Sequence, residues 1–206
     1  MAEHYTGSGV GASILRLEDD RYLRGHGQFI ADLHVAGMQN LAFIRSPLAH
    51  AWILGAHKPA GLVFTAADLA GVLPIVANSA LPGFKPSAQP ALVTDRVRHV
   101  GEAVAVCVAP TRAEAEDLAE QVVLDLEELP AVSDMLAGRL ASAPLLHLAW
   151  GDNVFLETRV DLGDPAARLN VPIVIQRTLR TARRHMAPIE GRGGGAGPPD
   201  GAVGAA

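Results

Sequence analysis

The chain has 206 residues, 49% hydrophobic but only 4% aromatic, and carries a formal charge of -5. That suffices for an aliphatic core in one medium domain, or in one small domain plus part of another. The acidic balance argues against a nucleic-acid partner, and the single cysteine, Cys107, excludes an internal disulfide framework or a Cys-based zinc or iron–sulfur site.

Residues 1–13, "MAEHYTGSGVGAS", are polar and Gly-rich and read as a flexible lead-in, with no basic-then-apolar leader pattern. No apolar run approaches the ~20 residues of a membrane span, and a reducing cytoplasm is the expected compartment. "NLAFIRSP" (residues 40–47) reads as a strand closed by proline. "GLVFTAADLAGV" (residues 61–72) reads as a strand, then Thr65 as the N-cap of a short helix ending at Gly71. Residues 78–92 are punctuated by Pro82, Pro86 and Pro90 and read as an irregular loop.

"HVGEAVAVCVA" (residues 99–109) is a Val/Ala run of the kind found in strands covered on both faces. Thr111 and Glu114 then stand in capping-box spacing. Ala115, Leu118, Ala119 and Val122 follow at i, i+3, i+4, i+7, predicting a helix with one apolar stripe. "VVLDLEELP" (residues 122–130) alternates as a further strand, so residues 99–130 read as a βαβ-like unit. A boundary is placed near Pro130. Residues 131–146 read as a connector with short helical pieces, and "PIVI" at residue 172 as the start of a strand. After Gly193 nearly every residue is Gly, Ala or Pro, which cannot build a core.

Few residues stand out for chemistry. "GSGVGA" follows no strand, so it reads as lead-in rather than a phosphate loop. "GHG" (residues 25–27) reads as a tight turn or a place of close backbone packing, and His26 is a poor ligand because no second His lies at helical spacing. Glu18, Asp19 and Asp20 read as a turn or a solvated face. Cys107, between Val106 and Val108, reads as an inert core thiol. Arg177, Arg180, Arg183 and Arg184 form a basic run that suits a solvated face, an anionic cofactor or a neighbouring chain. On these residues alone the chain is an α+β module without a catalytic set.

Five stretches in order carry more: "RLEDDRYLRGHGQFIADL", "LAFIRSPLAHAWI", "GLVFTAADLAG", "VRHVGEAVAVCVAPTRAEAEDLAEQVVLDLEELPAV" and "HMAPIEGRG". Together they resemble the N-terminal part of the molybdenum-binding large subunit of the xanthine dehydrogenase/aldehyde oxidase family, in its carbon monoxide dehydrogenase-like form. The resemblance implies an α+β fold: an α/β hammerhead domain over residues 14–130, then a connector and the truncated start of a molybdopterin-binding domain over residues 131–193. A disordered tail is expected over residues 194–206. It implies oxidoreductase chemistry, the hydroxylation of aldehydes, N-heterocycles or related carbon centres. The implied cofactor is molybdenum–molybdopterin cytosine dinucleotide, with iron–sulfur clusters and FAD on partner subunits.

By the same resemblance no catalytic residue is carried here. Only Glu190 and Arg192, in the "APxExRG"-like stretch, match positions near the cofactor, and Gly191 replaces a usual Pro. Arg21 and Asp32 are expected in structural pairs. The implied role is that of an N-terminal subunit or fragment that scaffolds a complementary molybdopterin-binding chain and is inactive alone. The alternative is a non-catalytic structural or interaction module from a truncated gene.

Overall fold

The computed structural model describes residues 9, 10, 12, 14–160, 162–164 and 168–182. They belong to two units, one of residues 1–36 with 176–206 and one of residues 37–175. In the first unit a short helix, α1 (Asp19–Leu23), carries its acids outward. Arg16 pairs with Asp19 at 2.6 Å, Arg21 with Glu18 at 2.8 Å and Arg24 with Asp20 at 2.7 Å. Such exposed pairs contribute about 0–1 kcal/mol each. Gly25 ends the helix at φ +71°, a backbone conformation that disfavours a β-carbon. The chain turns at Arg24–Gly25, His26 is exposed, and Gly27 packs so closely that a β-carbon there would lie 2.8 Å from Tyr22 Cδ1. Tyr22 stacks on Phe29 with ring centroids 6.1 Å apart. Asp32 accepts the Phe29 backbone N–H at 3.0 Å, so Arg21 and Asp32 both make local structural contacts.

Among its described residues the second unit holds eight strands: β1 (Asn40–Arg45), β2 (Ala51–His57), β3 (Leu62–Thr65), β4 (Ile75–Ala77), β5 (Ser87–Gln89), β6 (Arg96–Val97), β7 (Ala103–Ala109) and β8 (Val123–Glu128). Its helix, α2, spans Arg112–Glu120. One three-stranded sheet has the order β1-β7-β3, another β6-β2-β8, and β4-β5 form a two-stranded ribbon. Every pairing is antiparallel.

The capping box is made as the spacing dictates. Thr111 Oγ1 accepts from the Glu114 N–H at 3.2 Å, and the Glu114 carboxylate accepts from the Thr111 N–H at 3.1 Å. This fixes the start of α2 and turns its apolar stripe toward the first sheet. Ala115 is fully buried, and Leu118, Ala119 and Val122 pack on a core of Ala42, Ile44, Val63, Ala105, Cys107 and Ala109. Gly61 passes so close beneath the helix that a β-carbon there would lie 3.0 Å from Leu118 Cδ2. A second core joins Ala51, Val93, Val97 and Val104. Leu124 packs against both cores, and β7 supplies Val104 to one and Ala105 to the other.

Several expectations are corrected. The strand–helix–strand stretch is not a βαβ unit, because β7 and β8 lie in different antiparallel sheets. Local pattern reports the elements but not which sheet each joins. The β7 strand begins at Ala103, since residues 99–102 form the turn that precedes it. The predicted helix after Thr65 is a single 3-10 turn, Ala66–Asp68. The stretch at 78–92 contains β5, which the neighbouring β4 recruits by pairing Val76 with Ala88. Cys107 is fully buried, and its strand is covered on both faces only at its start: Val104, on the face opposite Cys107, is buried in the second core, whereas Val106 and Val108 on that face remain part-exposed. Residues 172–175 are not in a strand. Ile173, Val174 and Ile175 are exposed, without a ladder to join.

Candidate functional site

The densest polar cluster lies on the face of the second sheet that points away from its core. Trp52, Arg96 and Glu127 share a cross-strand row there, because Trp52 pairs with Arg96 on one side and Glu127 on the other. Arg96 is buried, its guanidinium 5.1 Å from the Trp52 ring centre. It donates from Nη2 to the Leu146 carbonyl at 2.5 Å. Arg98 donates to the same carbonyl at 3.3 Å and to the Arg96 carbonyl at 2.8 Å. Its backbone N–H is held by the Glu102 carboxylate at 2.5 Å.

The segment after β8 is thereby seated on β6. Its folding is completed by Asn153, whose Oδ1 accepts from the Leu146 N–H at 3.0 Å. The Asn153 amide donates to the Gly138 and Pro144 carbonyls at 3.1 and 2.9 Å. At the far end Lys85 donates to Asp152 at 2.6 Å, Trp150 Nε1 donates to the Pro86 carbonyl at 3.3 Å, and Phe84 meets Phe155 edge-on. His147 stacks on Trp150 with centroids 4.0 Å apart. Burial, then the nearby Arg98 and Arg96, push the His147 pKa down, with Glu102 opposing them.

This constellation holds chain rather than transforming a substrate. Its arginine and asparagine donors point at backbone carbonyls, the Glu102 carboxylate accepts from a backbone N–H, and the Asp152 carboxylate accepts from Lys85 and the Val154 N–H. Among the described residues two buried side-chain atoms are left without partners, Arg96 Nε and His50 Nε2; the other ring nitrogen of His50 lies 2.8 Å from the Pro130 carbonyl oxygen. A second polar group stands at the rim of a shallow pocket lined by Ile53, Val93, Val104, Lys58 and Thr65. Asp68 accepts there from Lys58, from the Thr65 N–H at 2.7 Å and from the Thr65 hydroxyl at 2.8 Å. The Lys58 ammonium first, then Thr65, bring its pKa down to about 2, so it stays ionised and cannot serve as a general acid near neutrality. Burial raises the Cys107 thiol, which keeps it protonated and unreactive.

Of the residues singled out in the sequence, the structure seats Cys107 in the core and leaves His26, Arg177 and Arg180 exposed. Glu190, Arg192, Arg183 and Arg184 lie outside the described residues. Lys85, Arg96, Arg98, His147 and Asn153 were not legible as a group. Lys85 and Asp152 are 67 positions apart, and Arg96 and Leu146 are 50 apart, beyond any local pattern.

Among the described residues no group of three or more His, Cys, Asp or Glu side chains is gathered to hold a metal. The pocket walls are mainly aliphatic, and the polar side chains at its rim are engaged with one another. The described residues therefore do not fit a molybdenum–pterin group, which needs many converging donors. Among the described residues no helix is long and apolar enough to cross a membrane.

Comparison with known proteins gives these features a family. The chain is 36% identical over 196 residues to the nicotine 6-hydroxylase large subunit of Paenarthrobacter nicotinovorans, covering 89% of this chain and 24% of that one. Quinoline 2-oxidoreductase of Pseudomonas putida 86 superposes with a TM-score of 0.56 at 44% identity, over 62% of this chain and 17% of that one. The aldehyde oxidoreductase of Desulfovibrio desulfuricans ATCC 27774 superposes with a TM-score of 0.66 at 27% identity, over 79% of this chain and 19% of that one. The chain thus spans about a quarter of the length of the curated relatives it matches. The sequence profile described as "Aldehyde oxidase and xanthine dehydrogenase, a/b hammerhead domain" matches residues 24–130, and the chain belongs to that family.

Proposed function

We propose that this chain is the hammerhead-bearing part of a molybdenum hydroxylase large subunit, and that it scaffolds the part that carries the molybdenum–pterin site. The observation that carries this reading is how the buried polar groups are used. Arg96, Arg98 and Asn153 are directed to the chain's own carbonyls, while the match to full-length relatives stops at about a quarter of their length. The molybdenum–molybdopterin cytosine dinucleotide would be bound mainly by the complementary chain, with Glu190 and Arg192 reaching toward it. That group would supply the oxidation of a carbon centre with oxygen from water. Iron–sulfur and FAD subunits complete the electron path in this reading, and the assembly works in the cytoplasm.

The test is dye reduction with a panel of aldehydes, N-heterocycles and carbon monoxide. The 206-residue chain is assayed alone, and again co-produced with the remaining three quarters of the nicotine 6-hydroxylase large subunit and that enzyme's other subunits. No turnover alone and turnover in the complex is the expected result. Turnover by the isolated chain, or none in a complex that has assembled, contradicts the proposal.

A further inference from the structure

The segment after β8, residues 136–155, is closed on itself before it touches the sheet. Asn153 bonds to Gly138, Pro144 and Leu146, and the Asp134 carboxylate accepts from the N–H groups of Leu136 and Ala137 at 2.8 Å. Among the described residues the segment contributes nothing to either core. A short set of ties seats it. Arg96 and Arg98 hold the Leu146 carbonyl, and the Trp150 indole N–H donates to the Pro86 carbonyl. Lys85 holds Asp152 and the Trp150 carbonyl through its ammonium, and the Phe155 carbonyl through its backbone N–H at 2.8 Å. Phe84 on Phe155 adds one ring contact. A segment held by such ties and outside the cores opens locally without unfolding the rest.

His147 stands in the middle of these ties. The carbonyl that Arg96 and Arg98 share is the peptide carbonyl joining Leu146 to His147. The His147 ring lies on Trp150, whose indole makes the next tie. The charges around the ring are unbalanced. Arg96 and Arg98 both repel a proton there, and Glu102 attracts one. Glu102 already accepts from the Arg98 N–H and lies 3.8 Å from His99 Nδ1. The other acids facing this region are engaged as well: Asp95 stands 3.5 Å from Arg98, Asp152 is paired with Lys85, and Glu127 shares the row of Trp52 and Arg96. A neutral imidazole is tolerated beside two guanidiniums, whereas an imidazolium is a third cation in a half-buried place. Once the segment lifts, the same ring is in water, where hydration stabilises its charge.

We infer that residues 136–155 are a pH-sensitive latch: a proton taken up by His147 lifts them from β6 while both cores stay folded. The inference goes beyond the proposed function and does not rest on it. Burial and the two arginines hold the seated His147 below its ordinary value of 6.5, to which the freed ring returns. Seating is therefore fully present above 6.5 and is lost as pH falls below it. Between about pH 7.5 and 5.5 the population of the lifted segment rises by up to about tenfold, the full factor belonging to a seated ring that stays neutral throughout.

The test is hydrogen exchange followed by NMR on the full 206-residue chain, corrected for the intrinsic pH dependence of exchange. The reporters are the donors that cross from the segment to the sheet side, the Trp150 indole N–H and the Lys85 backbone N–H. The reference is the Val93 N–H, which donates to the Ala103 carbonyl in the second core. Protection of the two reporters should fall about three- to tenfold between about pH 7.5 and 5.5, with the Val93 reference unchanged. His147→Phe keeps a ring on Trp150 and takes no proton, so its reporters should change by less than about twofold over the same range. His147→Lys, charged at both pH values, should be as open at the higher pH as the parent is at the lower, with His147→Met as the uncharged control for the lost stacking.

Unchanged reporter protection in the parent overturns the inference. So does opening that persists in His147→Phe, which would give the proton to His99 or His50 instead. Loss of protection at Val93 in step with the reporters would show acid unfolding of the whole unit rather than a latch, and overturns it too. The parent profile and His147→Phe decide the matter without the lysine and methionine variants.

Discussion

Leu118→Asp tests the orientation of α2, on which the first core depends. Leu118 lies on the helix stripe fixed by the Thr111–Glu114 capping box, packed on Val63, Cys107 and their neighbours and directly over Gly61. The substitution removes a partly buried isobutyl group, a loss of about 2 kcal/mol. It also brings a carboxylate against Ala, Ile, Val and Cys side chains, which adds about 1–3 kcal/mol because that surface offers it little to bond. The sum, about 3–5 kcal/mol, is a large part of the 5–15 kcal/mol typical of a domain. For a unit of this size the melting temperature should fall by about 10 °C or more. Circular dichroism melts of parent and variant measure this, with urea unfolding as a check. A variant that melts within about 2 °C of the parent would mean that the stripe does not face the sheet.

Three further outcomes follow from named groups. Cys107, fully buried with its thiol raised by desolvation, should react with a thiol reagent slowly in native buffer and promptly in denaturant; rapid native labelling would remove it from the core. The Asp68 carboxylate, brought to about 2 chiefly by Lys58, contributes stability that is present above its ordinary value of 3.8 and lost as pH falls toward 2. Lys58→Met should move the Asp68 titration seen by NMR back up toward that ordinary value, and an unmoved titration would assign the shift to another cause. His147 is depressed below its ordinary 6.5 by burial and the two arginines, so the unfolded chain takes up the proton first. Stability is then full above 6.5 and lost as pH falls below it. His147→Phe, which keeps a ring against Trp150, should flatten the decline in melting temperature between about pH 7 and 5, and an unchanged profile would place the titration elsewhere.

Local physics was legible in the sequence wherever it was decided locally. The capping box, the α2 stripe, the β1 strand and the burial of Cys107 all rest on signals that composition, periodicity or a short motif encodes. Sheet membership was not: β7 and β8 flank α2 in sequence, yet join β1 and β3 in one case and β2 in the other, because pairing partners come from 40 and more positions away. The β4-β5 ribbon escaped for a related reason. "IVA" and "SAQ" are too short to show a period, and only their mutual pairing makes them strands. The polar cluster around Arg96 was invisible because arginines, an asparagine and a lysine gain their role from carbonyls that the connector brings to them. The expectation that β7 is covered on both faces holds at its start, where Val104 enters one core and Ala105 the other, and weakens along the strand, where Val106 and Val108 stay part-exposed.

In the proposed function this chain belongs to a larger molybdenum enzyme and serves its assembly rather than its chemistry. The most direct measurement is molybdenum content per chain by elemental analysis, made on the purified 206-residue protein and on the same protein recovered through an affinity tag from cells that also make the complementary large-subunit region and supply the cofactor. The prediction is no retained molybdenum in the isolated chain and close to one atom per complex in the recovered assembly. Stoichiometric molybdenum on the isolated chain, or a recovered complex without the metal, would contradict it.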